Sequence, residues 1–362
     1  MSSEREAAKA AFLSAHGFGD TRREMLGGDA STRSYERLHR SDQSFIFMDQ
    51  PPSLETSVCP PEATPAERLA LGYNAAARLA AGSVAAFVAT ADYLRRRGLS
   101  APEILAYDVA QGLAVLEDLG DGLYATLIAE GQDERPLYET AVDLQVALHA
   151  ETPPDVLAAD DVRWPLLTYD TLALKHATDT FLEWWPQFAG MPSFDPEAVV
   201  AWDSLWAPVW ARGEAGASVF THRDYHAQNL LWLPDREGVA RVGLLDFQDA
   251  LRAHPAWDLT HLLQDARRDV TPELEAAMLD RYLAARPSLD GGAFIADYRA
   301  LAASNAARIL GRVFARQALL GRRQYEAYMP RTWRYLERNL SDPAMTDLKA
   351  WFDRYVPSEA RR

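Results

Sequence analysis

The segment 222–249 constrains this chain more than any other. It runs His222-Arg223-Asp224-Tyr225-His226-Ala227-Gln228-Asn229, continues through the apolar runs 230–233 and 239–245 on either side of Pro234-Asp235-Arg236-Glu237-Gly238, and ends on Asp246-Phe247-Gln248-Asp249. Two short apolar runs around a turn of that composition specify a β-hairpin. A hairpin brings the chain back to its starting point. Asn229, just before the first strand, and Asp246, just after the second, therefore emerge side by side, with Asp224 on the adjoining loop. Two hard oxygens brought together in this way suit a magnesium ion. The alternative, an ordinary turn with incidental acids, does not account for loop, hairpin and terminal acid occurring together.

That arrangement matches the needs of phosphoryl transfer, which asks a protein for positioning and charge neutralisation rather than covalent work. The loop fits H-R-D-x-x-x-x-N and Asp246-Phe247 fits the start of the magnesium motif that follows it in kinases. Asp224 is then the acceptor for the proton of an attacking hydroxyl, and Asn229 and Asp246 are the metal ligands. His222 is expected to hold the loop rather than move protons. His226 is expected to be a loop residue, since no second histidine or cysteine stands at zinc spacing. The chain has no G-x-x-x-x-G-K-[ST], H-E-x-x-H or G-x-S-x-G, which sets aside other enzyme classes.

The remainder predicts an α+β chain in two lobes, because 362 residues exceed what one small core accommodates. Short strands are expected at 25–26, 34–38, 44–48 and 113–116, with turns at 27–29 and 40–42. The proline-punctuated stretch 51–65 reads as a flap or linker. A helix is expected over 66–97, stopped by Gly98. Helical spacing then dominates, at 137–150, 171–185 and from 259 onward. The division is expected to place a nucleotide-covering lobe at 1–119 and a catalytic, substrate-binding lobe at 120–362. Residues 1–19 suggest an amphipathic helix rather than a signal peptide. The longest apolar stretch, 75–91, is broken by Arg78 and is a poor membrane span. A formal charge of −15 and pI near 5.0 argue against nucleic acid or an anionic membrane as partner. The single cysteine, Cys59, allows no intrachain disulfide, so a cytoplasmic location is expected.

The loop, the stretch 246–250 and Trp257-Asp258-Leu259 resemble the aminoglycoside phosphotransferase-like superfamily, which shares the bilobal protein-kinase fold. Gly28-Asp29-Ala30-Ser31-Thr32-Arg33-Ser34-Tyr35, Met48-Asp49-Gln50-Pro51-Pro52, Leu116-Glu117-Asp118-Leu119-Gly120 and Asp265-Ala266-Arg267-Arg268-Asp269 are similar to segments of the anomeric N-acetylmuramate/N-acetylglucosamine kinases of bacterial cell-wall recycling. The resemblance implies a β-rich N-terminal lobe over ATP and magnesium, with Ser31, Thr32 and Arg33 in a turn that covers the phosphates. Backbone groups around Glu117 and Leu119 would meet the adenine. An amino sugar would lie against a mainly helical C-terminal lobe with its anomeric hydroxyl facing Asp224, and Asp258 would brace the loop through backbone hydrogen bonds.

One departure stands out. Protein kinases grip the phosphates with a lysine on the third strand. The only lysines here are Lys9, Lys175 and Lys349, so Met48 or a neighbour occupies that position, and Arg33 is the candidate replacement unless it is a solvated turn residue. Tyr169 and Asp170 are candidates for the sugar pocket, or Asp170 simply caps the following helix. Arg267 and Arg268 could meet a carboxylate or phosphate on the substrate, though a solvated helix face is the expected place for them, and Trp184 and Trp185 could stack on a sugar or be one core and one interface residue. Two alternatives remain open from the sequence. One is a kinase of an aminoglycoside, choline or homoserine; the other is a nucleotide-binding pseudokinase scaffold.

Overall fold

The computed structural model describes residues 3–27, 33–51 and 57–361. The chain opens with helix α1 (Ser3–Ala15), followed by strands β1 (Arg22–Met25), β2 (Ser34–Arg40) and β3 (Gln43–Asp49). After helices α2 (Pro65–Leu71), α3 (Tyr73–Ala76) and α4 (Val84–Arg96), strands β4 (Ile104–Asp108) and β5 (Leu113–Glu117) complete an antiparallel sheet in the order β1-β2-β3-β5-β4. Alternation along the strands gives the sheet two different faces. Leu38, Phe47 and Val115 point to one side and pack with Phe12 and Leu13 of α1 in a small core. Met48, Ala114 and Leu116 point to the other side and join the large core of the rest of the molecule.

The face assignment settles the whereabouts of the nearest lysine. Lys9 is fully buried on the α1 side, 2.7 Å from Glu36 and 3.5 Å from Asp49. Met48 lies on the opposite face, 1% exposed, so an apolar side chain stands on the third strand where a phosphate-gripping lysine would be sought.

The sequence reading of one helix over 66–97 needs correction. The chain breaks at Gly72 (φ 94) and again around Arg78, Ala81 and Gly82, which have φ values of 57, 51 and 74. Alanine-rich composition concealed these breaks. The separated helix α2 starts with a capping box, in which Thr64 and Glu67 satisfy each other's backbone N–H groups. Strand β4 was also not expected; its residues, half buried without clean alternation, carry no period-2 signal.

Downstream lie α5 (Tyr124–Ala129), α6 (Glu134–Leu148), a β6 (Val156–Ala159) and β7 (Val162–Pro165) hairpin, and the long helices α7 (Thr171–Ala189) and α8 (Pro196–Ala215). Strand β8 (Val219–Thr221) precedes the loop of interest; β9 (Leu230–Trp232) and β10 (Val242–Leu244) form the expected hairpin, and β11 (Leu251–Ala253) returns to pair with β8. The remainder is helical: α9 (Trp257–Leu263), α10 (Pro272–Ala284), α11 (Gly291–Arg308), a π-helical segment (Ile309–Ala315), then α12 (Arg316–Leu319), α13 (Met329–Leu340) and α14 (Thr346–Tyr355). An aromatic cluster binds this lobe: the Phe181 ring stacks on Trp185 and Trp202, with Trp333 and Phe352 edge-on. Among the described residues no helix is long and apolar enough to cross a membrane.

Candidate active site

The loop between β8 and β9 is held from beneath by one buried acid. Asp258, fully buried near the start of α9, accepts the backbone N–H of His222 at 2.7 Å and that of Arg223 at 2.9 Å. Those bonds over-determine a backbone that is otherwise costly: Arg223 has φ 81, and Asp246 across the hairpin has φ 59. Non-glycine residues keep such values only where the surroundings enforce them. The Arg223 guanidinium donates to the carbonyls of Ala77 and Arg78 and lies 5.0 Å over the Tyr169 ring, tying the stretch after α3 to the loop. Burial pushes the Asp258 carboxyl up to about 7, against the two N–H groups that hold it down. His222 is buried between the rings of Tyr225 and Phe247 and is driven down to about 4 by its burial, so it stays neutral.

Asp224 sits at the mouth of a small cavity of about 50 Å³ whose lining includes His226, His261, Arg267 and Arg308. Burial raises its carboxyl, but the positive charge around it, Arg308 foremost, more than offsets this and holds it below the ordinary carboxylate value. It is thus ionised and competent to accept a proton. The imidazole of His261 lies 3.9 Å from it and is kept neutral chiefly by burial. Asn229 donates its amide N–H to the Asp224 carbonyl at 2.9 Å, which leaves the amide oxygen available as an acceptor. The backbone N–H of Leu245 bonds the Asn229 carbonyl at 2.9 Å, so the hairpin sets Asp246 next to Asn229 as its register requires.

Asp246 is partly exposed, and Arg33 reaches it from the other lobe: Nη2 donates to Oδ1 at 2.6 Å while Nη1 donates to Gln248 at 2.8 Å. Arg33 is only 11% exposed, so it is not a solvated turn residue. Burial opposes its charge, but Tyr35, Asp246 and Asp249 outweigh that and raise its pKa. The donor set available to a cation is thus one carboxylate and one amide oxygen, which fits Mg²⁺ completing its shell with phosphates and water. Among the described residues no cluster of three or more His, Cys, Asp or Glu could hold a metal alone.

A separate open groove of about 430 Å³ runs along Glu117, Leu119 and Gly122 on one side and Trp232 and Pro234 on the other. The Glu117 side chain is tied to Arg95 and to Arg236, itself part of the groove wall. Ser31 and Thr32 lie outside the described residues. Arg267 joins the Asp224 cavity, its Nη1 3.0 Å from the His226 Nε2. Tyr169 and Asp170 do not join it. The Tyr169 ring is buried at 1% exposure, and Asp170 caps α7 through Ala173 and pairs with Arg68 and Arg78. Arg268 is bound to Glu134 and Trp185 is core. Sequence reasoning missed Arg308 and His261. For His261 a signal existed, since it follows Asp258 by one helical turn and shares its face; for Arg308 none did.

Comparison with known proteins agrees with this geometry. Residues 23–302 match the phosphotransferase enzyme family. The chain is 66% identical to a curated protein of Caulobacter vibrioides named N-acetylmuramate/N-acetylglucosamine kinase, over 100% of this chain and 99% of that one. A protein of the same name from Pseudomonas aeruginosa is 28% identical over 85% of this chain and 81% of its own length. Among solved structures, an aminoglycoside 2'-phosphotransferase bound to GDP superposes with TM-score 0.56 at 13% identity, over 94% of this chain and 99% of that one. A choline kinase of Streptococcus pneumoniae superposes with TM-score 0.54 at 14% identity, over 95% and 99%. At such identities the two structures speak for the fold alone.

Proposed function

Since the chain belongs to the phosphotransferase enzyme family and is a kinase, we propose that it transfers the γ-phosphoryl group of ATP to the anomeric hydroxyl of N-acetylmuramic acid or N-acetylglucosamine during recycling of cell-wall sugars. The observation that carries this reading is Asp224, ionised at the mouth of a cavity and flanked by Asn229 and Asp246. The near-identical length and 66% identity of the C. vibrioides kinase support the choice of sugars.

In this reading Asp224 takes the proton of the sugar hydroxyl as the oxygen attacks phosphorus, worth about 10²–10⁴ in rate. The Asn229 amide oxygen and the Asp246 carboxylate would hold Mg²⁺, which would supply charge neutralisation at the phosphates. Arg33, with its sequence neighbours Ser31 and Thr32, meets the phosphates in place of a lysine, and backbone groups from Glu117 to Leu119 meet the adenine. Asp258 and His222 keep the loop in its strained shape. The division into a nucleotide-covering lobe at 1–119 and a catalytic lobe at 120–362 belongs to the same reading, as does a cytoplasmic site of action.

A kinase of a cationic alcohol, such as choline or an aminoglycoside, is disfavoured because the Asp224 cavity has no surplus of acid: Arg267 and Arg308 offset Asp224 and Asp265. The test is ADP release by purified protein with N-acetylmuramic acid, N-acetylglucosamine, kanamycin, choline and homoserine. Turnover is expected with the acetylated sugars. Turnover confined to an amine would overturn the assignment.

A further inference from the structure

The cavity beside Asp224 sets two guanidinium groups, Arg267 and Arg308, against two acids, Asp224 and Asp265. Its wall carries Arg267 and Arg308, and neither makes an ion pair among the described residues, although most arginines of this acidic chain do. Arg308 uses Nε on the amide oxygen of Asn305 at 3.0 Å, and Arg267 faces the uncharged imidazole of His226 at 3.0 Å. The neighbouring Arg268 is bound to Glu134. The acid that could have neutralised Arg267, Asp265, spends its oxygens on the backbone N–H groups of Arg267 at 2.8 Å and Ala227 at 3.3 Å. Arg308 makes no ion pair at contact distance, although its charge acts on Asp224 across the cavity, and its terminal nitrogens remain as donors for an anionic group that enters.

The fold shapes this wall on purpose-built ground. Arg308 is the last residue of α11, and the π-helical turn begins at the next position; such widened turns recur at functional sites. That turn sets Ile309, Val313 and Phe314 into the same cavity. The result is a planar fork of donors next to an apolar surface, on the acceptor side of Asp224. A carboxylate on a short branched carbon arm fits both parts: the guanidinium takes its two oxygens in parallel, and the apolar wall takes the methyl.

We propose that Arg308, assisted by Arg267, binds the carboxylate of the lactyl ether of N-acetylmuramic acid, making this wall the element that favours the acidic sugar over N-acetylglucosamine. The inference rests on the sugar-kinase reading above and adds the residues that separate the two sugars.

Steady-state kinetics of the intact enzyme on both sugars tests it with Arg308→Gln, Arg308→Lys and Arg267→Gln. Because Arg308 also holds the Asp224 carboxyl down, part of the loss in Arg308→Gln is common to both sugars. The ratio of kcat/KM for N-acetylmuramate to that for N-acetylglucosamine is expected to fall by about 10- to 100-fold beyond this, as a charge-assisted bidentate contact commands. The differential part should lie in KM, with partial recovery in Arg308→Lys and a smaller shift in Arg267→Gln. An unchanged ratio in Arg308→Gln overturns the proposal and leaves the sugar-kinase reading intact. Should the wild type phosphorylate neither sugar, that reading fails separately. Calorimetric titration with N-acetylmuramate then decides this one: binding weakened at least tenfold in Arg308→Gln supports it, and equal or absent binding overturns it.

Discussion

Asp224 and Asp258 are neighbours under one loop, and their surroundings give them opposite characters. Asp224 is held ionised by Arg308 and the charges near it, whereas burial drives Asp258 up to about 7. Asp224→Asn should lower kcat by about 10²–10⁴ while nucleotide affinity stays near that of the wild type; single-turnover kinetics beside ATP titration would check it, and near-normal kcat would remove Asp224 from the base role. For Asp258 the sign follows from proton linkage. The folded chain keeps the proton up to about pH 7, and the unfolded chain loses it near the ordinary value of about 4. The stabilising contribution of Asp258 is therefore complete below about pH 4 and declines as pH rises to about 7. Urea titrations across that range should show the stability gap between wild type and Asp258→Asn shrinking with increasing pH. A gap that widens would mean the two N–H donors outweigh burial. At this scale the sequence was legible wherever chemistry is contiguous: His222 to Asn229 and Asp246 stand out by spacing, and Asp258 through the family resemblance. Arg308 did not, because its approach to Asp224 depends on where α11 ends in space.

At the scale of elements, the hairpin was legible because turn residues between apolar runs are a local instruction. The break in 66–97 was hidden because Gly72 and the positive φ of Arg78 and Ala81 respond to packing: the carbonyls of Ala77 and Arg78 are taken by the buried Arg223. The π-helical turn was equally hidden, and one residue within it is diagnostic. A Cβ on Gly311 would lie 2.5 Å from both the Thr180 carbonyl oxygen and the Phe181 nitrogen, backbone atoms of α7 that cannot step aside. Gly311→Ala is expected to destabilise the fold by about 1–3 kcal/mol, the usual cost of overpacking. Since Phe314 and Val313 follow on the same turn, it should also raise KM for sugar more than for ATP. Chemical denaturation together with kinetics on both substrates would check this; unchanged stability would mean α7 and the π-helical turn can separate freely.

The whole molecule is governed by what crosses between its lobes. Composition announced a β-rich part and a helical part, but not their joints, which are long-range pairs such as Arg33 with Asp246 and Ala80 with Asp249. In the proposed reading Arg33 and a magnesium ion would have claims on the same carboxylate. Asp246 would then serve the cation once nucleotide is bound and the Arg33 guanidinium would turn to the phosphates, so that the inter-lobe pair is exchanged rather than lost. A ligand at a hundred times its Kd stabilises the folded state by about 2.7 kcal/mol, and the exchange predicts how that divides. With ADP and Mg²⁺ the wild type should show a Tm increment larger than with ADP alone. Asp246→Ala should erase the magnesium-dependent part while retaining the ADP-only part. Arg33→Ala should weaken both, because the phosphates lose a charge-assisted contact worth about 1.5–3 kcal/mol. Thermal unfolding of the three proteins under the two ligand conditions resolves it: an Arg33→Ala increment equal to that of the wild type would show that the arginine only guards Asp246 and never reaches the phosphates.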